Sequence, residues 1–325
     1  MAGLAEEHSE LCADELVAAA GEERRTARKT CALNTPKRLT RGQGGLGFRA
    51  KGKLKMEIPD CPVNSQLIYD VGAHLGEDTD FYLKKGFKIV AIEADPVLAE
   101  RLRERFRSNL SDGSLVVIEA AIAENSGEIN FYVNQANSVW GTIRPNWAER
   151  NAFKGSPSEL IKVQAITFAE VLNKYGVPYY LKIDIEGADI LCLESLMERP
   201  DRPRFVSIES EKRSWRALLY EFEIFNRLGY LRFKIVNQKH VSEQKPPNPA
   251  AEGRSVQHRF EPGSSGLFGE DLSGRWLTTH QAIWRYRFIF LRYLFFGDFG
   301  ILRILLRVPG LGRLGAPWWD THARL

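Results

Sequence analysis

Two glycines and two acidic residues in the first third of the chain are spaced as in a ligand-binding turn. An apolar run ends at Asp70, Gly72 and Gly76 follow it, and a second apolar run ends at Glu93. In a strand, turn, helix and second strand of this kind, the carboxylate at the end of the second strand binds the two hydroxyls of a ribose. The stretch therefore predicts a site for a ribose-containing ligand.

The glycine spacing indicates which ribose-containing ligand fits. A dinucleotide fingerprint has three glycines, so that a pyrophosphate can approach the helix N-terminus, and the pattern Asp70-x-Gly72-x-x-x-Gly76 lacks this triad. An acidic residue beside the first glycine would also repel phosphate, whereas it suits a cationic group. S-adenosyl-L-methionine has an ammonium, a sulfonium and a ribose but no phosphate, and we expect it as the cofactor.

A purely structural interpretation of the same residues stays open. Gly72 and Gly76 would then only permit a tight turn, and Glu93 would cap the helix that begins near Pro96. Asp78 and Thr79, which follow the turn, are typical N-cap residues and are as well suited to that role as to ligand contact.

Apolar runs alternate with helical patterns from residue 67 to 237. The strand-like runs are 67–71, 88–94, 115–122, 179–185, 204–210 and 231–237, and the helical stretches are 77–86, 96–108, 187–197 and 214–228. This alternation predicts an α/β fold with a mostly parallel sheet and helices on both faces. Two further runs, 127–133 and 160–166, flank a long polar loop that is either functional or disordered.

Four segments together resemble the FkbM-type methyltransferase family. They are YDVGAHLGEDTDFY with AIEADP, SVWGT at 138–142, LKIDIEGAD at 181–189, and WWDTHA at 318–323, which is similar to a signature at the end of some members. The resemblance covers about 65–240 and the C-terminal signature. It implies the class I Rossmann-like methyltransferase fold, with a seven-stranded sheet and S-adenosylmethionine across the carboxyl ends of the strands.

The resemblance assigns roles to individual residues. Asp70, Gly72, Gly76 and Glu93 carry over as cofactor-binding residues, and the segment around Ala121 would line the adenine. The resemblance leaves the methyl acceptor unspecified beyond a hydroxyl of a small molecule, sugar or glycoconjugate.

Methyl transfer to an alcohol needs a group that aligns the hydroxyl and removes its proton. Asp184 is our main candidate, because it lies at the carboxyl end of a strand, where open α/β sheets bind ligands. Glu186 lies two positions later and should point to a different side, where it could cap the next helix. Other candidates are Glu209 and His322, with Asp320 and His240 as further options. We predict no metal site, although Asp184, Glu209 and a distant histidine could meet in space.

The N-terminal segment 1–57 is predicted to be a disordered, charged extension. The first 23 residues contain acids but no lysine or arginine, whereas residues 24–55 contain eleven lysines and arginines and no acid. The net charge of +4 is too small to indicate a nucleic-acid-binding protein by itself. An RNA or membrane contact through this arm is the alternative.

The remaining chain divides into a methyltransferase domain at 58–240 and a C-terminal region at 241–325. That region begins with a proline- and glycine-rich linker and continues with an aromatic, basic cap. Arginines interrupt 284–308 too often for a transmembrane span. We expect this stretch to pack on the domain, and peripheral attachment to a membrane is the alternative.

Two classes of function follow. The first is an S-adenosylmethionine-dependent O-methyltransferase. The second is a non-catalytic binding protein that has kept the fold and uses its basic arm on nucleic acid or membrane. DIEGAD stands where base-nitrogen methyltransferases carry an asparagine-proline-proline-aromatic motif, which disfavours methylation of a base nitrogen. The four cysteines show no paired spacing, so we expect a reducing, cytoplasmic location.

Overall fold

The computed structural model describes residues 64–210, 214–296 and 318–325. The extension predicted for 1–57 lies outside these residues, as does 297–308 of the aromatic, basic stretch.

Eleven strands and eight helices are present in the described residues, and three short 3-10 helices connect some of them. The strands are β1 Asn64–Val71, β2 Lys88–Glu93, β3 Leu115–Glu119, β4 Ala121–Ile122, β5 Gly127–Val133, β6 Glu159–Ile166, β7 Pro178–Ile183, β8 Phe205–Glu209, β9 Arg232–Asn237, β10 Leu277–Thr278 and β11 Trp319–Arg324. The helices are α1 Glu77–Lys84, α2 Pro96–Arg105, α3 Arg107–Ser111, α4 Pro145–Phe153, α5 Phe168–Tyr175, α6 Asp189–Leu196, α7 Trp215–Arg227 and α8 Thr279–Phe296. The 3-10 helices are Ser138–Trp140, Gln238–Glu243 and Gly269–Asp271.

The main sheet has the strand order β10-β9-β11-β8-β7-β1-β2-β3. Its strands β1, β2, β3, β7 and β8 pair in parallel, and β11 is antiparallel to both of its neighbours. The predicted α/β class with a mostly parallel sheet is confirmed. The sheet has eight strands instead of seven, because the two-residue β10 pairs with β9 at the edge.

The order of strands reverses next to β1. The chain proceeds from β1 through β2 to β3 on one side, whereas β7 and β8 extend the sheet on the other side. In open α/β sheets such a reversal leaves a crevice beyond the carboxyl ends of the strands, where ligands bind. The crevice lies between the end of β1 and the end of β7.

Both faces of the main sheet are covered. One hydrophobic cluster joins the sheet to α5, α6, α7 and α8, and includes Leu218, Phe222 and Phe225 on the predicted inner face of α7. The other cluster joins the opposite face to α1 and α2, and to the segment that follows β9. Burial on both faces explains why the parallel strands are almost continuously apolar.

The segment predicted as a linker after residue 240 is part of the same hydrophobic core. Phe260, Leu267 and Phe268 are buried, and the Phe268 ring stacks on Tyr180 with 4.4 Å between the ring centroids. Lys85, directly after α1, donates to Asp271 at 2.7 Å in a buried ion pair. Proline and glycine content indicated a linker because it interrupts regular structure, but it does not prevent the intervening aromatic residues from packing.

The end of the chain lies within the sheet. β11 pairs with β8 on one side and with β9 on the other. The division at 240 into a domain and a separate cap therefore needs correction, because the sheet is incomplete without residues 319–324. For the described part of the cap, α8 packs on the domain through Ala282, Tyr286 and Ile289.

No helix among residues 64–210, 214–296 and 318–325 combines the length and the apolarity of a membrane span.

Candidate active site

A cavity of about 680 Å³ opens at the carboxyl ends of β1, β2, β7 and β8. This volume is in the range of small-molecule and cofactor sites, roughly 300–1,000 Å³. Its walls come from the turn after β1, the end of β2, the segment after β3, the loop between β5 and β6, and the ends of β7 and β8.

The turn after β1 needs its glycines for packing. Gly72 has a φ of 80°, and a Cβ there would lie 1.9 Å from the carbonyl oxygen of Asp184. Gly76 also has a φ of 80°, and a Cβ there would lie 2.4 Å from the Phe106 ring. Gly72 lines the cavity, whereas Gly76 is not part of its wall. The predicted contact of Gly76 with the cofactor is therefore replaced by a role in allowing α1 to pack near Phe106.

Glu93 is held at the end of β2 by two backbone amides. The His74 N–H donates to Oε2 at 2.8 Å and the Asp95 N–H donates to Oε1 at 2.9 Å. Burial raises the pKa of Glu93 to about 7, although these two hydrogen bonds oppose the shift. Each carboxylate oxygen keeps a free lone pair that can accept a hydroxyl. The helix cap next to it is Asp95, which accepts from the N–H groups of Val97 and Leu98, so capping does not explain Glu93.

Asp70 lies beneath the cavity and not on its wall. Its carboxylate is fully buried, accepts from the Thr79 hydroxyl at 2.6 Å and lies 3.0 Å from the Lys182 ammonium. Asp70 is therefore not positioned to contact a cofactor in the cavity, and the neighbouring Lys182 already compensates its charge. The hydroxyl of Thr79 supports this buried pair, and α1 has no side-chain N-cap.

Lys182 connects the end of β7 to the turn after β1. Its ammonium donates to the Gly72 carbonyl at 2.8 Å and lies 3.9 Å from Asp78. Burial opposes the charge of Lys182, but the carboxylates of Asp70, Asp184 and Asp78 outweigh it and raise the pKa. Sequence reasoning did not single out this lysine, although a charged residue inside an apolar strand was the available signal.

Asp78 faces the cavity from α1. Both of its carboxylate oxygens accept from the Ser265 N–H at 2.9 Å, in the segment that follows β9. Burial raises the pKa of Asp78 to about 7, while the nearby Lys182 charge opposes this shift. The side chain therefore holds the turn and the later segment together instead of capping α1.

The segment after β3 and the loop after β5 form the next walls. Ala120, Ala121 and Ile122 line the cavity, and the Ala120 N–H donates to the Glu93 carbonyl at 3.0 Å. The polar loop contains a 3-10 helix and α4. Ser138 in this 3-10 helix lies 2.8 Å from His74 Nε2, so the loop contacts the turn after β1.

The polar loop also contacts the segment after β7. The Thr142 hydroxyl donates to the Glu186 carbonyl at 2.8 Å, and Arg150 lies 3.6 Å from the Glu186 carboxylate. The Arg150 guanidinium stacks on Trp147, 4.1 Å from the ring centroid. The loop is therefore a structured wall of the cavity.

Asp184 and Glu186 both line the cavity. β7 ends at Ile183, and Glu186 has a φ of 47°, so the chain turns and does not continue as a strand. Burial raises the pKa of Glu186 well above its ordinary value, and the negative charges of Glu209 and Asp184 add to this. Glu186 does not cap α6, because no side chain caps that helix; the amides of Ile185 and Gly187 donate to Asp189.

The predicted bases are partly brought together. Asp184, Glu209 and Asp320 line the cavity, and Glu209 and Asp320 are partners in the register of β8 and β11. His322 lies deeper in β11, opposite Ser207, and is not on the cavity wall. Burial lowers the pKa of His322 to about 3, with Lys234 contributing. We correct the prediction of His322 as a base, because a buried strand position gives it no access to the cavity.

His240 is on an exposed 3-10 helix with Glu243 at 3.1 Å and is also absent from the wall. Among the residues described, no cluster of three or more His, Cys, Asp and Glu side chains has an arrangement suited to a metal ion.

A match to a family model shows which protein family this chain belongs to. The model described as the methyltransferase FkbM domain matches residues 70–232, which is half of the chain. The chain belongs to the FkbM methyltransferase domain family. The match includes the end of β1 with its turn, Glu93, the polar loop and the carboxylates at the ends of β7 and β8.

Relatives outside the family model are more distant. A stretch of 73 residues is 32% identical to a Methanospirillum hungatei protein named "Probable ribosomal RNA small subunit methyltransferase A", covering 22% of this chain and 28% of that protein. The chain thus spans little more than a quarter of this curated relative's length. 

Two solved structures show weak likeness. A precorrin-6y C5,15-methyltransferase from Geobacter metallireducens has a TM-score of 0.32 and 12% identity, covering 61% of this chain and 77% of that one. A SAM-dependent methyltransferase from Archaeoglobus fulgidus has a TM-score of 0.31 and 9% identity, covering 80% and 86%. The family assignment rests on the FkbM match alone.

Part of the cavity wall lies outside the matched FkbM residues. Lys239, Val241 and Ser242 follow β9, residues 261–265 approach Asp78, and Trp318 and Asp320 belong to the end of the chain. The turn after β1, Glu93 and Ala121 lie within the matched residues 70–232. The wall beside Glu209 is therefore completed by residues that the family match does not include.

Proposed function

We propose that this FkbM-family protein uses S-adenosylmethionine to methylate a hydroxyl group of a small molecule, a sugar or a glycoconjugate. The observation that supports the proposal most directly is the Glu93 carboxylate on the cavity wall, positioned by two backbone amides at the end of β2. Asp184 and Glu209 line the same cavity from the ends of β7 and β8.

The residues around Glu93 suit this cofactor. Glu93 would accept the two ribose hydroxyls, and Ala120, Ala121 and Ile122 would contact the adenine with apolar surface. Glu77 adds negative charge to the turn side of the cavity, while the Lys182 ammonium there is paired with the buried Asp70 carboxylate. Such a wall repels a pyrophosphate and attracts a cation.

When bound, S-adenosylmethionine supplies an electrophilic methyl group on a sulfonium. The chain must then align an acceptor oxygen and take up its proton. Asp184 is the residue that we assign to this step, because it follows β7 directly and lies beside the turn that carries Gly72. The Asp184 carboxylate would accept the hydroxyl proton as the oxygen–methyl bond replaces the sulfur–methyl bond and the sulfur leaves as a neutral thioether, and Glu209 is the alternative acceptor of that proton.

Titration with S-adenosylhomocysteine tests the cofactor assignment. We expect saturable binding that weakens at least about tenfold in Glu93→Ala, since hydrogen bonds to a charged group contribute about 1.5–3 kcal/mol each. Glu119→Ala is the matched control, because Glu119 ends the neighbouring strand in register with Glu93 and pairs with Arg103 away from the cavity. Absence of binding by the wild type, or equal weakening in both variants, would contradict the assignment.

The wild type and the variant Asp184→Asn test the transfer step. Labelled methyl groups from S-adenosylmethionine are followed by mass spectrometry into a cell extract, and Asp184→Asn should reduce the label about 10²-fold or more. Its affinity for S-adenosylhomocysteine should stay close to that of the wild type. Label on nitrogen or carbon instead of oxygen would reject O-methylation while leaving the cofactor assignment intact.

A further inference from the structure

Helix α8 has two apolar faces, and only one of them packs on the protein. Ala282, Tyr286 and Ile289 are buried against the main sheet and α7. The opposite face carries four half-exposed apolar side chains, which we call the α8 patch: Trp284 54%, Phe288 54%, Leu291 51% and Leu294 55% exposed. Their spacing of three and four residues places them in one stripe along the helix. A continuous exposed apolar stripe marks a surface that contacts something else.

Arginines lie within and beside the α8 patch. At 3.6 residues per turn, Arg287 lies inside the stripe between Leu291 and Leu294, and Arg285 and Arg292 lie along the edge next to Phe288. All three are exposed, and α8 contains no acidic residue. The neighbouring helix α7 is different, because it carries Glu221 and Glu223 beside its apolar residues.

We propose that the α8 patch binds the surface of an anionic lipid bilayer. A helix that lies in a bilayer interface presents Trp, Phe and Leu to the acyl region and arginines to the headgroups, which is the distribution on the outward face of α8. The charge continues along the chain, since residues 279–317 contain six arginines, no lysine and a single acid, Asp298. A basic segment around an apolar stripe is complementary to anionic lipid.

The same charges disfavour the other occupants. In a symmetric dimer through the α8 patch, the flanking arginines of one copy would approach those of the other. Residues 297–317 of this chain contain three arginines and one aspartate, so they would also bring like charge to the patch. A nucleic acid would match the arginines and could stack on Trp284 and Phe288, but Leu291 and Leu294 add aliphatic surface that suits acyl chains and gives bases no ring to stack on.

Vesicle flotation of the full-length protein tests the proposal. We expect the wild type to float with vesicles of phosphatidylcholine and phosphatidylglycerol and to remain unbound with phosphatidylcholine alone. The variant W284S/F288S/L291S should lose at least about tenfold in partitioning, since it removes the side chains that enter the interface. V97S/L160S is the control, because Val97 (59% exposed) lies on α2, on the opposite face of the main sheet from α8, and Leu160 (53% exposed) lies in β6, which is not part of that sheet.

The electrostatic part has its own variant. Arg287→Gln should weaken binding to the anionic vesicles about fivefold, and Arg287 is preferred to Arg285, whose guanidinium lies 5.6 Å from the Trp319 ring centroid.

The proposal would be overturned by no flotation of the wild type with anionic vesicles, by equal flotation of W284S/F288S/L291S, or by a wild-type dimer that this variant converts to monomer. Tighter binding of the α8 patch to single-stranded RNA than to the vesicles would also overturn it. S-adenosylhomocysteine affinity and the thermal midpoint of each variant are measured in parallel, so that a folding defect is recognised and the outcome stays independent of the methyltransferase proposal.

Discussion

Asp70 and His322 show how burial decides what a single side chain can do in this protein. The type and position of Asp70, beside a glycine turn, are those of a ligand-binding acid, but its carboxylate is enclosed with Lys182 and Thr79. Glu93 is also an acidic residue and lies at the end of the next strand, but its carboxylate is on the cavity wall. Sequence position could not distinguish the two acids, because the distinction depends on a lysine more than 100 residues later.

His322 should make the stability of the protein depend on pH. Burial lowers its pKa to about 3, so the folded state leaves it neutral at pH values where the unfolded chain, with a pKa near 6.5, protonates it. The stability that this group contributes is fully present above about pH 6.5 and is lost as the pH falls towards 3, by up to about 1.4 kcal/mol per pH unit.

Urea unfolding of the wild type and His322→Leu between pH 7 and pH 4 measures this contribution. We expect the variant to lose less stability on acidification than the wild type. His240→Leu is the control, because that ring is 57% exposed on a 3-10 helix. Parallel stability curves for the wild type and His322→Leu would contradict the assignment of a neutral, buried imidazole.

At the scale of elements, the site depends on how closely the turn after β1 approaches the segment after β7. The Gly72 and Ala73 amides donate to the Ile92 carbonyl, and the Asp184 amide donates to the Val71 carbonyl. The absent side chain of Gly72 lets the Asp184 carbonyl come near. The sequence predicted a turn that needs glycine, but the neighbour that requires it was visible only after folding.

Gly72→Ala should therefore be much more destabilising than an alanine at another glycine with positive φ. Gly113 is the matched control, since its φ is 75° and a Cβ there would meet nothing within 4 Å. We expect Gly113→Ala to cost about 1–2 kcal/mol from backbone strain and Gly72→Ala to cost at least about 2 kcal/mol more through its clash. Chemical denaturation gives both values, and equal costs would show that the close approach to Asp184 does not matter.

At the scale of the whole molecule, the last residues complete the sheet. β11 lies between β8 and β9 in the sheet, so these two strands have a common neighbour only when residues 319–324 are in place. Thr321 of β11 is fully buried, and its hydroxyl lies 2.6 Å from those of Ser210 and Tyr286. A short C-terminal signature thus acts as a central structural element as well as a contributor to the cavity wall through Asp320.

Ala323→Asp tests the central position of β11. Ala323 is fully buried between β8 and β9, and a carboxylate there would be desolvated without a partner, which typically costs several kcal/mol. We expect this variant to lose cooperative unfolding and near-UV circular dichroism. Leu325→Asp, two residues later and exposed, should behave as the wild type does. A cooperative, native-like Ala323→Asp protein would show that β11 is dispensable.

The amino-acid sequence by itself determined the strands and most helices between 64 and 237 to within a few residues, because apolar periodicity and turn residues act locally, but it did not predict α4 and α5. It also determined the placement of Glu93, Ala121 and Asp184 at strand ends, where a parallel sheet brings them to one edge.

Only the tertiary structure decided which acids face the cavity, that the end of the chain enters the sheet, and which later segments complete the walls. These features depend on contacts between distant residues, such as the Ser265 amide and Asp78, 187 positions apart in the chain. Local pattern carries no information about such pairs, since the free energy of each contact exists only when the whole core has assembled.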